Sequence, residues 1–416
     1  MSKETKKTKL GTEPYKGVRD FYPADMAVQN YIFGVMRKTA ESFGYSEYEA
    51  SVLEPAELYR AKSGDEIVNE QTYTFKDRGE REVTLRPEMT PTVARMVAQK
   101  QRELAFPLRW FSIPNLFRYE RQQRGRLREH WQLNADLFGV NSLEADLEII
   151  TMASSLMTNF GATEKDFKIL INNRGNIRMI LEESGVFKDV EQISKYLSLL
   201  DKKKKIGEDK FKAEIIKEFG KEISYDTKKV DNYSQKIIGE LAKRGIKNVE
   251  FDSELVRGFD YYTGIVFEVY DTNEANNRSL FGGGRYDNLT AIFGGESVPA
   301  VGFGMGDVTI HDFLETHNLL PISKSATQLY ICTIGEVSEY ANELADKLRK
   351  ENINVAINIT DKKIGDQIKY ADKNKIPFIT VIGEEETKTK ILKIKNLASG
   401  EEKSLEESEI GKFLSK

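Results

Sequence analysis

Leu255-Val256-Arg257-Gly258-Phe259-Asp260-Tyr261-Tyr262-Thr263-Gly264 places cations, carboxylates and tyrosines in turn-rich backbone, and Gly282-Gly283-Gly284-Arg285-Tyr286-Asp287 follows downstream. Glycine at this density lets a ligand come close to the main chain. The composition is that of a binding site, although a tyrosine-rich hairpin with ordinary turns would account for either segment alone.

A second stretch weighs against that bland account. Phe117-Arg118-Tyr119-Glu120-Arg121-Gln122-Gln123-Arg124-Gly125-Arg126-Leu127-Arg128-Glu129-His130-Trp131-Gln132-Leu133-Asn134-Ala135-Asp136-Leu137-Phe138-Gly139 alternates as strand, charged loop centred on Gly125, and strand. This predicts a long hairpin. Arg118, Arg121, Arg124, Arg126 and Arg128 exceed what a solvated turn needs. Planar guanidinium groups match phosphate oxygens two at a time, so the tip suits a polyphosphate or a nucleic-acid backbone.

The chain has 416 residues, enough for two or three domains of about 100 to 200 residues. With 31% charged and 39% hydrophobic residues it is expected to be soluble and globular. No run approaches the roughly 18 apolar residues of a membrane span, and the basic start has no apolar stretch behind it, so a cytoplasmic location is expected. One cysteine, Cys332, excludes an internal disulfide framework, and three histidines (His130, His311, His317) make a protein-held zinc or other metal site unexpected. A net charge of −4 argues against indiscriminate binding of nucleic acid. Any such partner must meet local basic patches, of which the hairpin tip and Lys202-Lys203-Lys204-Lys205 are candidates. A lysine run is also what a solvated helix face carries.

Residues 1–16 read as a flexible basic tail. The stretch 17–171 opens with a helix from Met26 to Phe43, continues through a Tyr73–Phe75 strand and a turn at Asp77-Arg78-Gly79, and reaches a helix after Pro91. Strands return over 249–320, so the same sheet is expected to resume there. Between them, 172–248 is rich in lysine and glutamate with apolar residues at helical spacing, which predicts a helical insertion. After Pro321, over 326–416, strands at 329–334, 355–359 and 378–382 alternate with helices at 337–350 and 364–373, predicting a small parallel α/β domain. Its first strand lacks a glycine-rich phosphate loop.

The chain resembles the histidyl-tRNA synthetases of the class II aminoacyl-tRNA synthetases. Phe117-Arg118-Tyr119-Glu120 is similar to the second class II motif, and Leu255 to Tyr262 resembles the histidine-specific signature. Weaker matches are Gly17-Val18-Arg19-Asp20-Phe21, Thr84-Leu85-Arg86-Pro87-Glu88-Met89-Thr90 and the Gly282 run. The resemblance implies an α+β catalytic domain on an antiparallel sheet, a helical insertion, and a C-terminal domain that reads the tRNA anticodon. It implies ATP, accompanied by Mg²⁺, L-histidine and tRNA(His) as ligands, and a homodimer.

Joining an amino acid to ATP brings a carboxylate against the α-phosphate, and fixed cations aimed at the developing charge lower the barrier. By their motifs, the resemblance assigns Arg118 and Arg257 to that work. It places Glu120 at the adenine amino group, Arg126 at the outer phosphates, and Gly304 and Gly306 along the nucleotide. Glu120 stands two residues beyond Arg118, so on a strand both face one side. Histidine needs an acceptor for its ammonium group and polar partners for both ring nitrogens. The resemblance implies Glu88, Thr90 and Gln132 near the amino end and Asp136, Tyr261, Tyr262 and Tyr286 near the ring. Gln123 and Arg128 match positions that meet the tRNA acceptor end.

One departure stands out. The third class II motif usually ends in an arginine that grips ATP phosphate, and here Thr309 holds that position. Asp307 reads as the N-cap of a helix from Val308 to Leu314, whose positive end would supply part of the missing charge. Arg278 or Arg285 would supply the rest. Two other functions stay open: a catalytically silent paralogue, such as the histidine-sensing regulatory subunit of ATP phosphoribosyltransferase, and a plain RNA-binding module. The signature at Arg257 and the C-terminal domain count against the first, and the retained Arg118, Glu120 and Arg257 against the second.

Overall fold

The computed structural model describes residues 10–60, 71–121, 123–183, 185–187, 189–223, 230–257, 261–276, 278–322 and 325–415, without the side chains of 190, 204 and 205. The tail's first nine residues and Gly258, Phe259 and Asp260 of the signature therefore lie outside the described residues. The chain divides into two units between Pro321 and Ile322.

In the first unit the strands are β1 (Ser46–Glu47), β2 (Leu53–Pro55), β3 (Tyr73–Lys76), β4 (Glu82–Leu85), β5 (Leu108–Ser112), β6 (Asn115–Phe117), β7 (Glu129–Phe138), β8 (Phe167–Asn173), β9 (Val249–Phe251), β10 (Ile265–Asp271), β11 (Ser279–Arg285) and β12 (Ala300–Gly306). The main sheet runs β1-β5-β7-β12-β11-β10-β8-β9, with β6 also paired to β7. All its pairs are antiparallel except β1 with β5 and β8 with β9. The strands after the insertion thus rejoin those before it in one sheet, as the return of strand patterning after residue 249 predicts.

Alternation along these strands separates two faces. Leu133, Ala135 and Leu137 of β7, Val301, Phe303 and Met305 of β12, and Phe267 and Val269 of β10 point into the principal core. That core is closed by apolar stripes of the helices Pro23–Ser42, Leu143–Asn159, Asn232–Lys243 and Asp307–Thr316. The opposite face carries Asn134, Asp136, Glu268 and four glycines, Gly282, Gly284, Gly302 and Gly304, set opposite one another across neighbouring strands. At one end of this face a second cluster, with Val93 and Val97 of the helix Thr90–Lys100, packs around Tyr261, Tyr262 and Tyr286.

Over the expected insertion the architecture is finer than periodicity indicates. Strand β8 continues to Asn173, beyond the start expected at 172. The helices Arg174–Glu183, Val190–Ile206 and Glu208–Phe219 share a separate core with Tyr196, Phe211 and Val256. The helix Asn232–Lys243 instead buries Ile237 and Leu241 in the principal core. An amphipathic stripe announces burial but not against which partner.

The second unit is a five-stranded sheet of β13 (Leu329–Thr333), β14 (Val355–Ile357), β15 (Phe378–Ile382), β16 (Ile391–Asn396) and β17 (Glu402–Glu406) in the order β14-β13-β15-β16-β17. The first three are parallel, as the sequence rhythm predicts, while β16 and β17 form an antiparallel extension that the sequence reading omits. Leu329 and Ile331 face a core shared with the helices Ser338–Lys350 and Glu407–Leu414. Tyr330 and Cys332 face the other side, toward Ala371 of the helix Ile364–Lys373. Burial pushes the Cys332 thiol up to about 11, so it is a packing group.

Asp307 departs from its expected role. The cap position belongs to Gly306, and Asp307 is the first helical residue, fully buried. Its carboxylate accepts from Arg19 Nη2 at 2.7 Å, Gln29 Nε2 at 2.8 Å and the Trp131 amide at 2.9 Å. The start of the chain, its first helix and β7 are thus tied to the helix after β12. Removing one partner of a buried charged network costs about 3 to 5 kcal/mol. Both tryptophans of the chain, Trp110 and Trp131, lie in this unit, so their fluorescence reports its unfolding alone. Asp307→Ala is expected to lower the urea midpoint of that signal by the equivalent of about 3 kcal/mol; an unchanged midpoint would deny Asp307 its anchoring role.

Candidate active site

On the glycine-bearing face lies a cavity of about 120 Å³ lined by Glu88, Thr90, Arg118, Gln132, Asp136, Arg257, Tyr261, Tyr262, Gly282, Tyr286, Gly302, Phe303 and Gly304. Ten of the residues singled out in the sequence therefore meet in one place, drawn from five separated segments. The glycines explain how. A Cβ on Gly282 would overlap the Arg257 guanidinium, one on Gly302 the Asp136 carboxylate, and one on Gly304 the Gln132 amide. Three of these cavity side chains lie in space that any other residue type would fill.

Arg257 adopts a left-handed backbone at φ 56°, a conformation that costs a non-glycine residue energy and concentrates at functional sites. Its Nη1 donates to Phe267 O at 3.2 Å and lies 3.4 Å from Glu268, and its guanidinium stacks 5.7 Å from the Tyr262 ring. Burial opposes its charge, but Tyr262, Glu268, Tyr261 and Asp201 outweigh burial and hold it cationic. Among the described residues its buried Nε has no hydrogen-bond partner. Arg118 Nε donates to Pro87 O at 2.8 Å, which fixes the side chain where it lines the cavity. Two fixed cations thus flank one space.

The anionic side is equally ordered. Tyr261 donates to Glu88 at 3.1 Å, and Tyr286 donates to Asp136. Arg86, which bonds Asn115 O, Ala50 O and Glu49, fixes the loop that leads into Glu88. Burial pushes the Asp136 carboxyl up to about 7, with the Tyr286 bond pulling the other way. It therefore changes charge near neutrality.

Around the hairpin tip, Glu120 accepts from Arg126 at 3.1 Å and lies 3.9 Å from Arg118. The expected strand ends at Phe117, and Arg118 and Glu120 are brought together by a tight turn in which the Glu120 amide bonds Arg118 O. Arg128 is built into the base of the hairpin. It stacks on Tyr119 at 4.1 Å and donates to Tyr15, Lys16 O and Glu120 O. Gly17, at φ 96°, makes room for it, since a Cβ there would sit 2.6 Å from the Arg128 side chain. Gln123 accepts from Arg278 at 2.8 Å. Gly306 pairs with Gln132 at the head of the helix, just beyond the cavity lining.

Thr309 bonds Leu280 O at 2.6 Å. Arg285 is 5% exposed, with nitrogens bonded to Asp146, Asp287, Val140 O and Ser142 O, so it braces the core behind the sheet. Lys203 is paired with Glu208 and Glu254, and the side chains of Lys204 and Lys205 lie outside the described residues. His311, Asp312 and Glu315 form a group close enough for a metal on one helix face, a placement that exposed acidic residues often share without one. Glu268 and Asp201, which act on Arg257, were not singled out in the sequence; no motif marks them, and only the fold brings them near.

A glycine-floored antiparallel sheet with two motif-borne arginines above it is the catalytic architecture of class II aminoacyl-tRNA synthetases. Sequence comparison narrows this: the histidyl-tRNA synthetase family profile matches residues 17–308 and an anticodon binding domain profile matches 328–416, and the chain belongs to the histidyl-tRNA synthetase family. A histidine–tRNA ligase of Leptospira biflexa is 45% identical over 95% of each chain. The crystal structure of apo Staphylococcus aureus histidyl-tRNA synthetase superposes with a TM-score of 0.76 at 25% identity, covering 98% of this chain and all of that one. A Bacillus halodurans structure titled ATP phosphoribosyltransferase regulatory subunit/histidyl-tRNA synthetase gives 0.71 at 24% identity over 90% of this chain and all of its own, a likeness of fold alone.

Because the folded Asp136 carboxyl titrates near 7 and the unfolded one near 3.8, the fold gives up stability as pH rises between those points. Asp136→Asn lacks this penalty. Its unfolding free energy, relative to the parent, is expected to climb from pH 4 to 7 and level off above, by at most on the order of 4 kcal/mol, as read from urea midpoints. A difference that ignores pH would contradict the burial assigned to this carboxyl.

Proposed function

We propose that this chain is a histidine–tRNA ligase that activates L-histidine with ATP and transfers it to the 3′ end of tRNA(His). The observation that carries this is the meeting of Arg118 and Arg257, from two separate motifs, over one cavity with Glu88 and Asp136 on its other side. In the first step a histidine carboxylate oxygen attacks the α-phosphorus and pyrophosphate leaves. In the second a terminal ribose hydroxyl of the tRNA attacks the carbonyl carbon and AMP leaves. Arg118 and Arg257 offset the negative charge that builds in the first step.

Glu88, with Thr90 and Gln132, suits the ammonium group of histidine. Asp136, positioned by Tyr286, suits a ring N–H, and Tyr261 and Tyr262 close the pocket around the ring. A site whose polar groups demand partners rejects amino acids that leave them unpaired. Glu120 and Arg126 exchange their mutual bond for the adenine amino group and the outer phosphates, and Gly306 leaves room along the nucleotide while Gly304 makes space for Gln132 beside it. Mg²⁺ arrives with ATP as part of the substrate, bridging phosphate oxygens. Gln123 and Arg128 are assigned to the acceptor end of tRNA, Arg128 acting by holding the hairpin to Gly17.

By the same reading, 17–171 and 249–320 make the catalytic domain, the helices between them an insertion, and 326–416 the anticodon-binding domain. A cytoplasmic homodimer joined through the first-motif helix is part of the proposal and rests on the family. Against a regulatory paralogue stands the C-terminal unit, matched over 328–416.

Histidine-dependent exchange of pyrophosphate into ATP, run against a panel of other amino acids, tests the reading. Exchange with histidine alone is expected; a folded protein that binds histidine without exchange would instead support the regulatory paralogue. Arg257→Ala and Arg118→Ala are each expected to lower exchange by about 10² to 10³, the usual effect of removing one fixed donor, with tryptophan fluorescence unchanged. Full activity in either variant would remove that residue from the mechanism.

A further inference from the structure

Beyond the cavity, β11 runs from Gly282 back to Ser279, about 10 Å at the rise of a strand. At that end lies a separate cleft of about 60 Å³ lined by Arg124, Arg278, Leu280, Thr309 and Asp312 among others. The two sites share one strand, with Gly282 touching Arg257 at one end and Leu280 O holding Thr309 at the other. A nucleotide whose α-phosphate sits at Arg257 has this cleft within reach.

Charge decides what the cleft is for. Within the cavity Arg118 and Arg257 are met by Glu88 and Asp136, so the site as a whole offers little net positive charge to a triphosphate. Arg126 is bonded to Glu120, and Arg124 lies 3.9 Å from Asp312. Arg278 differs. Among the described residues its side-chain bond is to a neutral amide oxygen, Gln123 Oε1, and it lines the same cleft as the short Thr309. An exposed guanidinium held by a neutral group loses little on exchanging that bond for a phosphate, whose opposite charge and paired oxygens match its planar fork.

We infer that Arg278 is a nucleotide-binding residue that reaches across from the β10–β11 connection to supply the phosphate-directed cation missing at Thr309. The inference rests on the proposed ligase reading and identifies which of two arginines does this work, since Arg285 is consumed behind the sheet. Gln123 holds Arg278 in place until the nucleotide arrives.

The test is pyrophosphate exchange with Arg278→Ala, Thr309→Arg and the double variant, measuring KM for ATP and for histidine separately. Arg278→Ala is expected to raise KM for ATP at least tenfold and to leave KM for histidine within twofold. The double variant, which supplies an arginine at another lining position of the same cleft, is expected to regain most of the ATP affinity. An unchanged KM for ATP in Arg278→Ala overturns the inference, as does absence of rescue when Thr309→Arg alone is active. Failure of the parent protein to exchange would strike the ligase reading instead; calorimetric titration with Mg-ATP would then still compare parent and Arg278→Ala, and equal affinities would overturn the inference.

Discussion

Everything in the site depends on three missing methyl groups. Gly282, Gly302 and Gly304 face the same side of the main sheet, and in the space their side chains would occupy lie the Arg257 guanidinium, the Asp136 carboxylate and the Gln132 amide. Without those gaps the sheet would present a closed apolar surface, with no floor on which polar groups could rest at chosen separations. Glycine in a strand interior weakens the strand, because it loses more chain entropy and packs nothing. The opposite face offsets that loss with tightly buried Phe267, Val301, Phe303 and Met305.

The division of labour between the two faces accounts for where strain is tolerated. Arg257 carries a left-handed backbone, a buried Nε with no hydrogen-bond partner among the described residues, and a charge taken out of water. Each would be costly in an isolated loop. Here the preceding Leu255 and Val256 are buried in two different clusters, and Arg174 bonds the Arg257 carbonyl, so its backbone is held in place. Burying Asp136 beside Tyr286 follows the same pattern, keeping a carboxyl poised near neutral pH.

Much of this was readable in the sequence, for identifiable reasons. The hairpin at Gly125 declares itself through a turn glycine between alternating strands, and the β13 to β15 rhythm through short apolar runs spaced by helices. The cavity residues were legible because their chemistry is crowded into motifs. What escaped has a common cause. β16 and β17 are rich in lysine and glutamate, with only Leu392 and Ile394 buried in the first and Leu405 in the second, so their polar faces mask the strand pattern. The destination of the Asn232–Lys243 helix, the network at Asp307 and the approach of Glu268 to Arg257 are contacts between distant segments, and no local pattern encodes them.

The glycine floor also makes the route by which such a site is won or lost asymmetric. A single substitution at position 282 evicts the arginine above it, whereas an arginine at 257 gains nothing while any side chain occupies 282. Assembly in evolution is therefore ordered, with the empty space coming first and the functional group second, and decay needs only one step. Chains that share this sheet yet carry a side chain at one of the three positions are expected to have exchanged catalysis for another use of the same fold.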